Sequence, residues 1–180
     1  CYAAEFPTEV GPIILVGCGT FDKAARARMH EILEDRTDDD LRGRLLRMST
    51  EIADPASRFI QEFKLTRHLF DFEPIDTYAD KDEFEPFDLK AFEETWSDML
   101  RLQSEGIYPK AFSNIESPVL MLHGRYDPHP GKMIRESLIK HIPQLEYREW
   151  ERCGHYPWIE RATRDDFFTS LCDWLTKNTR

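Results

Sequence analysis

The chain has 180 residues, of which 41% are hydrophobic and 32% are charged, a composition typical of a folded globular protein rather than a disordered one. This length is enough for one domain with a buried core. The net charge of −10 argues against nucleic acid as a partner, because phosphates require clustered lysine and arginine. No apolar stretch approaches the ~20 residues of a membrane span, so we expect no membrane partner either.

The cysteines and the first residue bear on the compartment and the extent of the protein. Cys1, Cys18, Cys153 and Cys172 lie far apart and form no CxxC pair, which favours reduced thiols in a cytoplasmic protein. The chain begins with Cys1 rather than Met, and its first residues are typical of the end of a helix. We therefore expect a fragment, the C-terminal portion of a longer protein, and a signal peptide upstream stays open.

The first predicted strand is Pro12–Val16, a short apolar run rich in β-branched residues. Such a run is typical of a strand that is buried on both faces of a parallel sheet. The glycines of the segment Gly17–Thr20 end this strand, and Asp22 is well placed to cap the helix that follows.

Helices dominate the next 90 residues, and no segment between residues 21 and 112 is predicted to be a strand. The apolar spacing predicts four amphipathic helices, and Asp88 is the expected cap of the fourth. Residues 71–88 are rich in acidic residues, proline and aromatics, and we expect a loop there. The apolar faces of the later three helices are Leu41, Leu45, Met48 and Ile52; Phe59, Ile60, Phe63 and Phe70; and Leu89, Phe92, Trp96, Met99 and Leu100.

The last third alternates strands with helices. Val119–Leu122 is predicted to be a strand, Lys132–Ile142 a helix, and Leu145–Trp150 a half-exposed strand at a sheet edge. Thr163–Leu175 is predicted to be the closing helix, with Thr163 and Asp166 as a capping box. This order predicts an α/β protein with a parallel sheet and an all-helical insertion. The inward face predicted for the closing helix is Phe167, Phe168, Leu171, Cys172 and Leu175.

Two turns after predicted strands carry an acid and a base. Asp127 ends the run VLMLHGRYD, and His155 follows 28 residues later in the turn CGH. In open α/β sheets, functional residues lie in loops beyond the carboxyl ends of the strands. A carboxylate bound to one ring nitrogen fixes the tautomer of a catalytic histidine and stabilises its charged form. We therefore predict that Asp127 orients His155, although a turn aspartate before Pro128 and a loop histidine would also explain them.

These segments resemble the α/β-hydrolase superfamily over nearly the whole chain. Residues 118–127 are similar to its seventh strand with the acid turn, and residues 154–160 to its histidine loop. Residues 12–20 resemble its sixth strand, and the detailed pattern is similar to the cap-bearing proline iminopeptidase-like branch. The resemblance implies the C-terminal part of the hydrolase sheet, parallel strands 6–8, with an inserted helical cap. It implies three parts: residues 1–20 as core strand and flanking helix end, 21–112 as cap, and 113–180 as C-terminal core.

The nucleophile of that superfamily lies in a Gly-x-Ser-x-Gly turn after the fifth strand, and this sequence has no such motif. The resemblance therefore implies Ser-His-Asp cleavage of a small ester, amide or short peptide, with the serine upstream and these 180 residues inactive alone. We expect no cofactor. Two alternatives stay open: a non-catalytic binding or regulatory protein with a hydrolase-like fold, and an epoxide or halide hydrolase with an aspartate nucleophile.

Three other motifs suggest weaker hypotheses. The loop after the first strand, GCGTFD, resembles a cofactor-binding glycine loop but has no third glycine. Asp22 in it is an alternative triad acid, although helix capping is the favoured role. His123, Asp127 and His129 have a spacing that metal ligands can show, but such matches often arise by chance in loops, so we expect no metal.

The remaining predictions concern the substrate and the sheet edge. Tyr156 and Trp158 flank His155 and are candidate substrate-binding residues. Trp96 is a third candidate, although a cap-core role is favoured for it and for Phe87, Phe92 and Tyr108. The acidic stretch 71–88 is either a solvated loop or a site for a substrate amine. The first strand would lack one neighbour, so we expect low stability, self-association at the edge of residues 12–16, or binding of the missing N-terminal half there.

Overall fold

A computed structural model describes residues 2–75 and 87–179 of the chain. Three parallel strands form one sheet in the order β1 (Ile13–Val16), β2 (Val119–Gly124) and β3 (Leu145–Trp150). Val119 of β2 lies opposite Ile13 on one side and Leu145 on the other. The predicted α/β class with a parallel sheet is therefore confirmed, and β3 is an outer strand of the described sheet, as expected.

Four of the helices lie between β1 and β2, in the range predicted to be a cap. Aspartate side chains cap all four, because Asp22, Asp38, Asp54 and Asp88 each accept a hydrogen bond from a backbone N–H three residues later. The helices are α1 (Tyr2–Glu5), α2 (Lys23–Arg36), α3 (Asp39–Glu51), α4 (Pro55–Thr66), α5 (Leu89–Ser104), α6 (Gly131–Leu138) and α7 (Arg164–Asn178). None of the helices in the described ranges is long and apolar enough to cross a membrane.

The core has two layers because the side chains of β2 alternate between the faces of the sheet. Val119 and Met121 pack with α6 residues on one face, whereas Leu120 and Leu122 pack with Phe167 of α7 on the other. Every residue of β2 is buried. The middle strand is therefore covered on both faces, and the loops that follow it lie at the carboxyl edge of the sheet.

Strand β1 differs from its prediction. Its four residues are only partly buried, although the sequence predicted burial on both faces. Within the described residues, β1 pairs with β2 alone, so one of its edges has no strand beside it. A second difference is a short antiparallel bridge between Pro74 and Glu160, in a region where no extended pairing was expected. Of the predicted acidic loop, residues 76–86 lie outside the described residues.

Two helices in the last third also differ in detail. Helix α6 ends at Leu138, four residues earlier than predicted. The capping box of α7 is wrong, because the Thr163 side chain makes no cap bond and its hydroxyl instead donates to the Arg152 carbonyl at 3.3 Å. Phe168 and Cys172 are exposed, and Trp174 is buried in their place.

Candidate active site

The acid lies in the turn that follows β2. The Asp127 N–H donates to the Gly124 carbonyl at 3.2 Å, which closes the turn, and the Asp127 side chain is completely buried. Its Oδ2 accepts a hydrogen bond of 2.7 Å from Nδ1 of His155, so the contact predicted between these two residues is present. Because a carboxylate only accepts, Nδ1 of His155 carries the hydrogen, and Nε2 of the neutral ring is left as an acceptor.

Asp127 is held in its ionised form. Burial on its own raises the pKa of this carboxyl group, but hydrogen bonds from His129 and His155 and nearby imidazoles outweigh burial. The net effect holds the pKa of Asp127 well below its usual range. The carboxylate is therefore a fixed negative charge beside the His155 ring at neutral pH.

The base lies in the histidine loop, residues 154–160, which follows β3. Two glycines allow this loop to approach the other strand ends. Gly17, at the end of β1, has a φ of +52°, and a Cβ there would overlap the backbone oxygen of His155 and lie 3.1 Å from its Nδ1. A Cβ on Gly124 would overlap the backbone oxygens of Cys153 and Gly154. From the sequence, Gly17 was predicted only to end the first strand, and no neighbouring residue indicates its contact with His155.

A buried glutamate fixes the histidine loop to the strap, as we call residues 70–75. The Glu160 carboxylate is fully buried and accepts three backbone hydrogen bonds: from Gly154 at 2.8 Å, Phe72 at 2.8 Å and Glu73 at 2.7 Å. The His155 N–H also donates to the Phe70 carbonyl at 2.8 Å. Sequence reasoning missed Glu160. The only available signal was an acidic residue next to the apolar run Pro157–Ile159, where a carboxylate would need partners.

The aromatic candidates are placed differently from one another. The Tyr156 ring is 4.6 Å from the His155 ring and 5.4 Å from that of Trp158. Trp158 also contacts Phe167 at 6.1 Å, so it belongs partly to the core beside α7. The ring contacts described for Trp96 are with Phe92 at 6.2 Å and the Arg26 guanidinium at 5.3 Å, both outside the histidine loop.

Comparison with known proteins identifies the fold. No protein-family model matches the chain, and no curated protein matches it by sequence. Solved structures match almost all of it: VinJ with a TM-score of 0.58 at 15% identity, and the proline iminopeptidase of Mycobacterium smegmatis with 0.54 at 12%. An alpha/beta fold family hydrolase from Bacillus anthracis str. Sterne gives 0.52 at 14%. These matches cover 98%, 97% and 96% of this chain and 61%, 60% and 61% of those chains.

The chain has part of the α/β-hydrolase fold. It spans about 60% of the length of the solved structures that it matches. Identities this low show a common fold and no more, so the activity has to be argued from the side chains.

Helices between β1 and β2 of this hydrolase fold contact both loops of the candidate site. Arg36, at the end of α2, donates to the carbonyls of Leu69 at 2.6 Å and Tyr126 at 2.7 Å, and its guanidinium lies 3.7 Å from the centre of the Tyr126 ring. The Arg67 guanidinium lies 4.9 Å from the centre of the Tyr156 ring. The helical region therefore supports the acid turn through one arginine and contacts the histidine loop through another.

The weaker hypotheses have clear structural outcomes. Asp22 accepts a hydrogen bond from the Ala25 N–H at 2.9 Å, so it caps α2 as favoured. His123, the first residue of the spacing that metal ligands can show, is fully buried, and its Nε2 donates to the His129 carbonyl at 2.8 Å. Asp127, His129 and His155 offer ligand atoms within 4.8 Å of one another, which would suit a metal ion. Hydrogen bonds among these same atoms already account for their arrangement.

Proposed function

We propose that this chain is the C-terminal portion of a serine-type hydrolase that cleaves a small ester, amide or short peptide. In this proposal His155 is the general base and then the general acid, and Asp127 orients it. The observation that carries the proposal is the 2.7 Å hydrogen bond between Nδ1 of His155 and a buried carboxylate at the carboxyl edge of the sheet. The serine nucleophile would come from sequence beyond these 180 residues.

The geometry supports an ordinary acyl-transfer cycle. Nε2 of His155 takes the proton of the serine hydroxyl as its oxygen attacks the substrate carbonyl, and the ionised Asp127 stabilises the imidazolium that forms. His155 then gives this proton to the leaving alkoxide or amine, and an acyl-serine remains. Water attacks the acyl-serine while Nε2 again takes a proton, and the serine leaves with that proton. The same imidazole therefore acts in both halves of the reaction.

Two aromatic side chains beside the proposed base are candidates for contact with the substrate. The Tyr156 ring, next to His155, is the candidate that lies beside the proposed base, and Trp158 extends this aromatic surface towards α7. Trp96 remains a substrate-binding candidate only if the helical region brings it over the base, because its described contacts are with Phe92 and Arg26.

The deciding experiment is labelling of the full-length protein with a serine-reactive phosphonate. Replacement of the base by alanine (His155→Ala) should slow labelling at least about 10³-fold, because the serine loses its proton acceptor. The matched control is His141→Ala. That imidazole bonds the Ser113 hydroxyl at 3.0 Å, outside the candidate site, so labelling should stay at the wild-type rate.

Each outcome separates the candidate functions. Labelling that persists at the wild-type rate in His155→Ala would exclude the proposed base. Absence of any labelled serine in the wild type would exclude the serine mechanism. In that case an aspartate that becomes alkylated by an epoxide or haloalkane would identify the epoxide or halide alternative. If neither reagent labels the protein, the non-catalytic binding protein is the remaining candidate.

We also propose a partner for the open edge of β1. Ile13–Val16 pairs on one side only in the described sheet, and an apolar cavity of about 380 Å³ lies next to it, lined by residues that include Ile13, Leu15 and Phe112. A further strand of the full-length protein would cover this edge. The 180-residue chain should then elute as oligomers in size-exclusion chromatography, and the full-length protein as a single smaller species. A monomeric 180-residue chain would contradict this.

A further inference from the structure

The Asp127 carboxylate accepts hydrogen bonds from two imidazoles, and the proposed mechanism uses only one of them. Nε2 of a third imidazole, the buried His123, lies 3.3 Å from Oδ2. Oδ2 accepts from Nδ1 of His155 at 2.7 Å. Oδ1 accepts from both the backbone N–H and Nδ1 of His129, each at 2.9 Å. His129 lies two residues after the acid in the sequence. Its two hydrogen bonds go to Oδ1, the oxygen of Asp127 that His155 does not contact.

The two bonds from His129 restrict the rotation of the carboxylate. The terminal torsion of an aspartate side chain is broad, so a single hydrogen bond leaves its plane poorly fixed. Here one residue donates to Oδ1 from its backbone and from its ring, while the carboxylate is completely enclosed. These two hydrogen bonds to Oδ1 restrict where Oδ2 can lie, and Oδ2 is the oxygen that accepts from His155.

His129 is itself held firmly. Its carbonyl accepts from Nε2 of the buried His123 at 2.8 Å, and its ring lies 5.9 Å from that of Phe70. Prolines stand on both sides of it, at positions 128 and 130, and they limit the backbone conformations of this turn. The side chain of His129 is only 13% exposed. An imidazole anchored in this way is better suited to holding another side chain in place than to binding a ligand from solution.

We propose that His129 is a positioning residue, which fixes the Asp127 carboxylate so that Oδ2 faces Nδ1 of His155. The inference rests on the proposed function for its catalytic meaning, but the hydrogen-bond arrangement can be tested without any turnover. His129 does not touch the reacting atoms in this proposal. It acts through the acid, and its ring also lies 4.9 Å from that of His155, a ring position that the phenylalanine replacement below keeps filled.

The test compares three replacements of this residue in the full-length protein. Asparagine (His129→Asn) carries an N–H2 group on Cγ, where imidazole carries Nδ1, so it can still donate to Oδ1. Alanine (His129→Ala) removes the donor and the ring. Phenylalanine (His129→Phe) fills the ring volume without a donor, and it serves if the alanine variant fails to fold.

The readout is the imidazole ¹⁵N–¹H spectrum of the protein labelled at histidine, with the His155 signal assigned by its loss in His155→Ala. We expect a downfield Nδ1–H signal of His155, protected from solvent exchange, in the wild type and in His129→Asn. The signal should be lost, or exchange faster, in His129→Ala and His129→Phe. In a turnover assay the same two variants should lower kcat with little change in KM, and His129→Asn should restore it.

Two results would overturn the proposal. One is a His155 signal that stays at the wild-type position and exchange rate in a folded alanine or phenylalanine variant. The other is an asparagine variant that loses the signal as completely as alanine does, because the donor would then not be the relevant feature. The spectra could follow this expectation while the phosphonate labels no serine of the wild-type protein. That result would support the positioning role and would contradict only the serine mechanism.

Discussion

Replacement of the buried Glu160 by glutamine should detach the strap from the histidine loop. In the wild type, Oε1 accepts from the Gly154 and Phe72 N–H groups, and Oε2 accepts from the Glu73 N–H. Glutamine has one acceptor oxygen, so it keeps two of these bonds in a weaker, neutral form. Its amide N–H2 group then faces the Glu73 N–H, donor against donor.

The size of the effect follows from these contacts. The lost bond to a charged acceptor is worth about 1.5–3 kcal/mol, and the Glu73 N–H left without an acceptor costs about 1–3 kcal/mol more. Burial of a neutral amide costs less than burial of a carboxylate, which offsets part of the loss. We therefore expect the Glu160→Gln variant to lose about 2–4 kcal/mol of local stability.

Native-state hydrogen exchange measures this loss at the three amides. A change of about 2–4 kcal/mol corresponds to exchange that is about 30- to 700-fold faster, and the Glu73 amide should show the largest change. The matched control is Glu151→Gln, because that carboxylate is exposed and pairs with Arg125 at the surface. This control should change stability by no more than about 0.5 kcal/mol. If the amides of Gly154, Phe72 and Glu73 exchange at wild-type rates in Glu160→Gln, the carboxylate does not hold the two segments together.

Three further predictions follow from the site. Gly17→Ala forces a side chain into a left-handed backbone and into the histidine loop, so it should lower the free energy of unfolding by at least about 1–2 kcal/mol in urea, whereas Gly19→Ala, with no atom within 4 Å, should not. The pKa of Asp127 is lower in the folded chain than in the unfolded chain, so the stability that this carboxylate contributes is complete above the ordinary pKa of about 3.9 and is lost as pH falls towards the folded value. The free energy of unfolding, measured in urea from pH 6 to pH 2, should therefore fall less steeply in Asp127→Asn than in the wild type. Burial raises the pKa of the Cys153 thiol to about 12, leaving a thiolate fraction on the order of 10⁻⁴ at pH 8, so a thiol reagent should modify the exposed Cys172 first; equal rates would contradict this.

The pair Asp127 and His155 could be predicted because each signal is local. Each residue follows an apolar strand in a polar turn, and the carboxyl ends of parallel strands meet at one edge of a sheet. The helix caps Asp22 and Asp88 were predictable for the same reason, because a cap bonds an N–H only three residues away.

The supports of the pair could not be predicted, because they depend on contacts between distant parts of the chain. Glu160 bonds the Phe72 amide, which is 88 positions away, and no sequence period signals such a contact. The inward face predicted for α7 was wrong at Phe168 and Cys172 for the same reason, whereas Phe167, Leu171 and Leu175 do pack on the core. Trp174 packs in the buried cluster with Leu120 and Leu122 of β2, and its Nε1 donates to Glu146 of β3 at 2.7 Å. Helical periodicity alone cannot show which of these neighbours selects the face.

The acid and the base are held by contacts with different parts of the chain. Asp127 accepts two hydrogen bonds from His129, two residues away in the same turn. His155 is fixed by the strap, because Phe70 accepts from its backbone N–H and Glu160 joins the preceding residue to the strap. The strap continues directly from the helices after β1, so a displacement of the strap would move the base, whereas Asp127 is bonded to His129 within its own turn. Substitutions that displace the strap should therefore lower kcat through the Asp127–His155 bond, even where they touch no substrate.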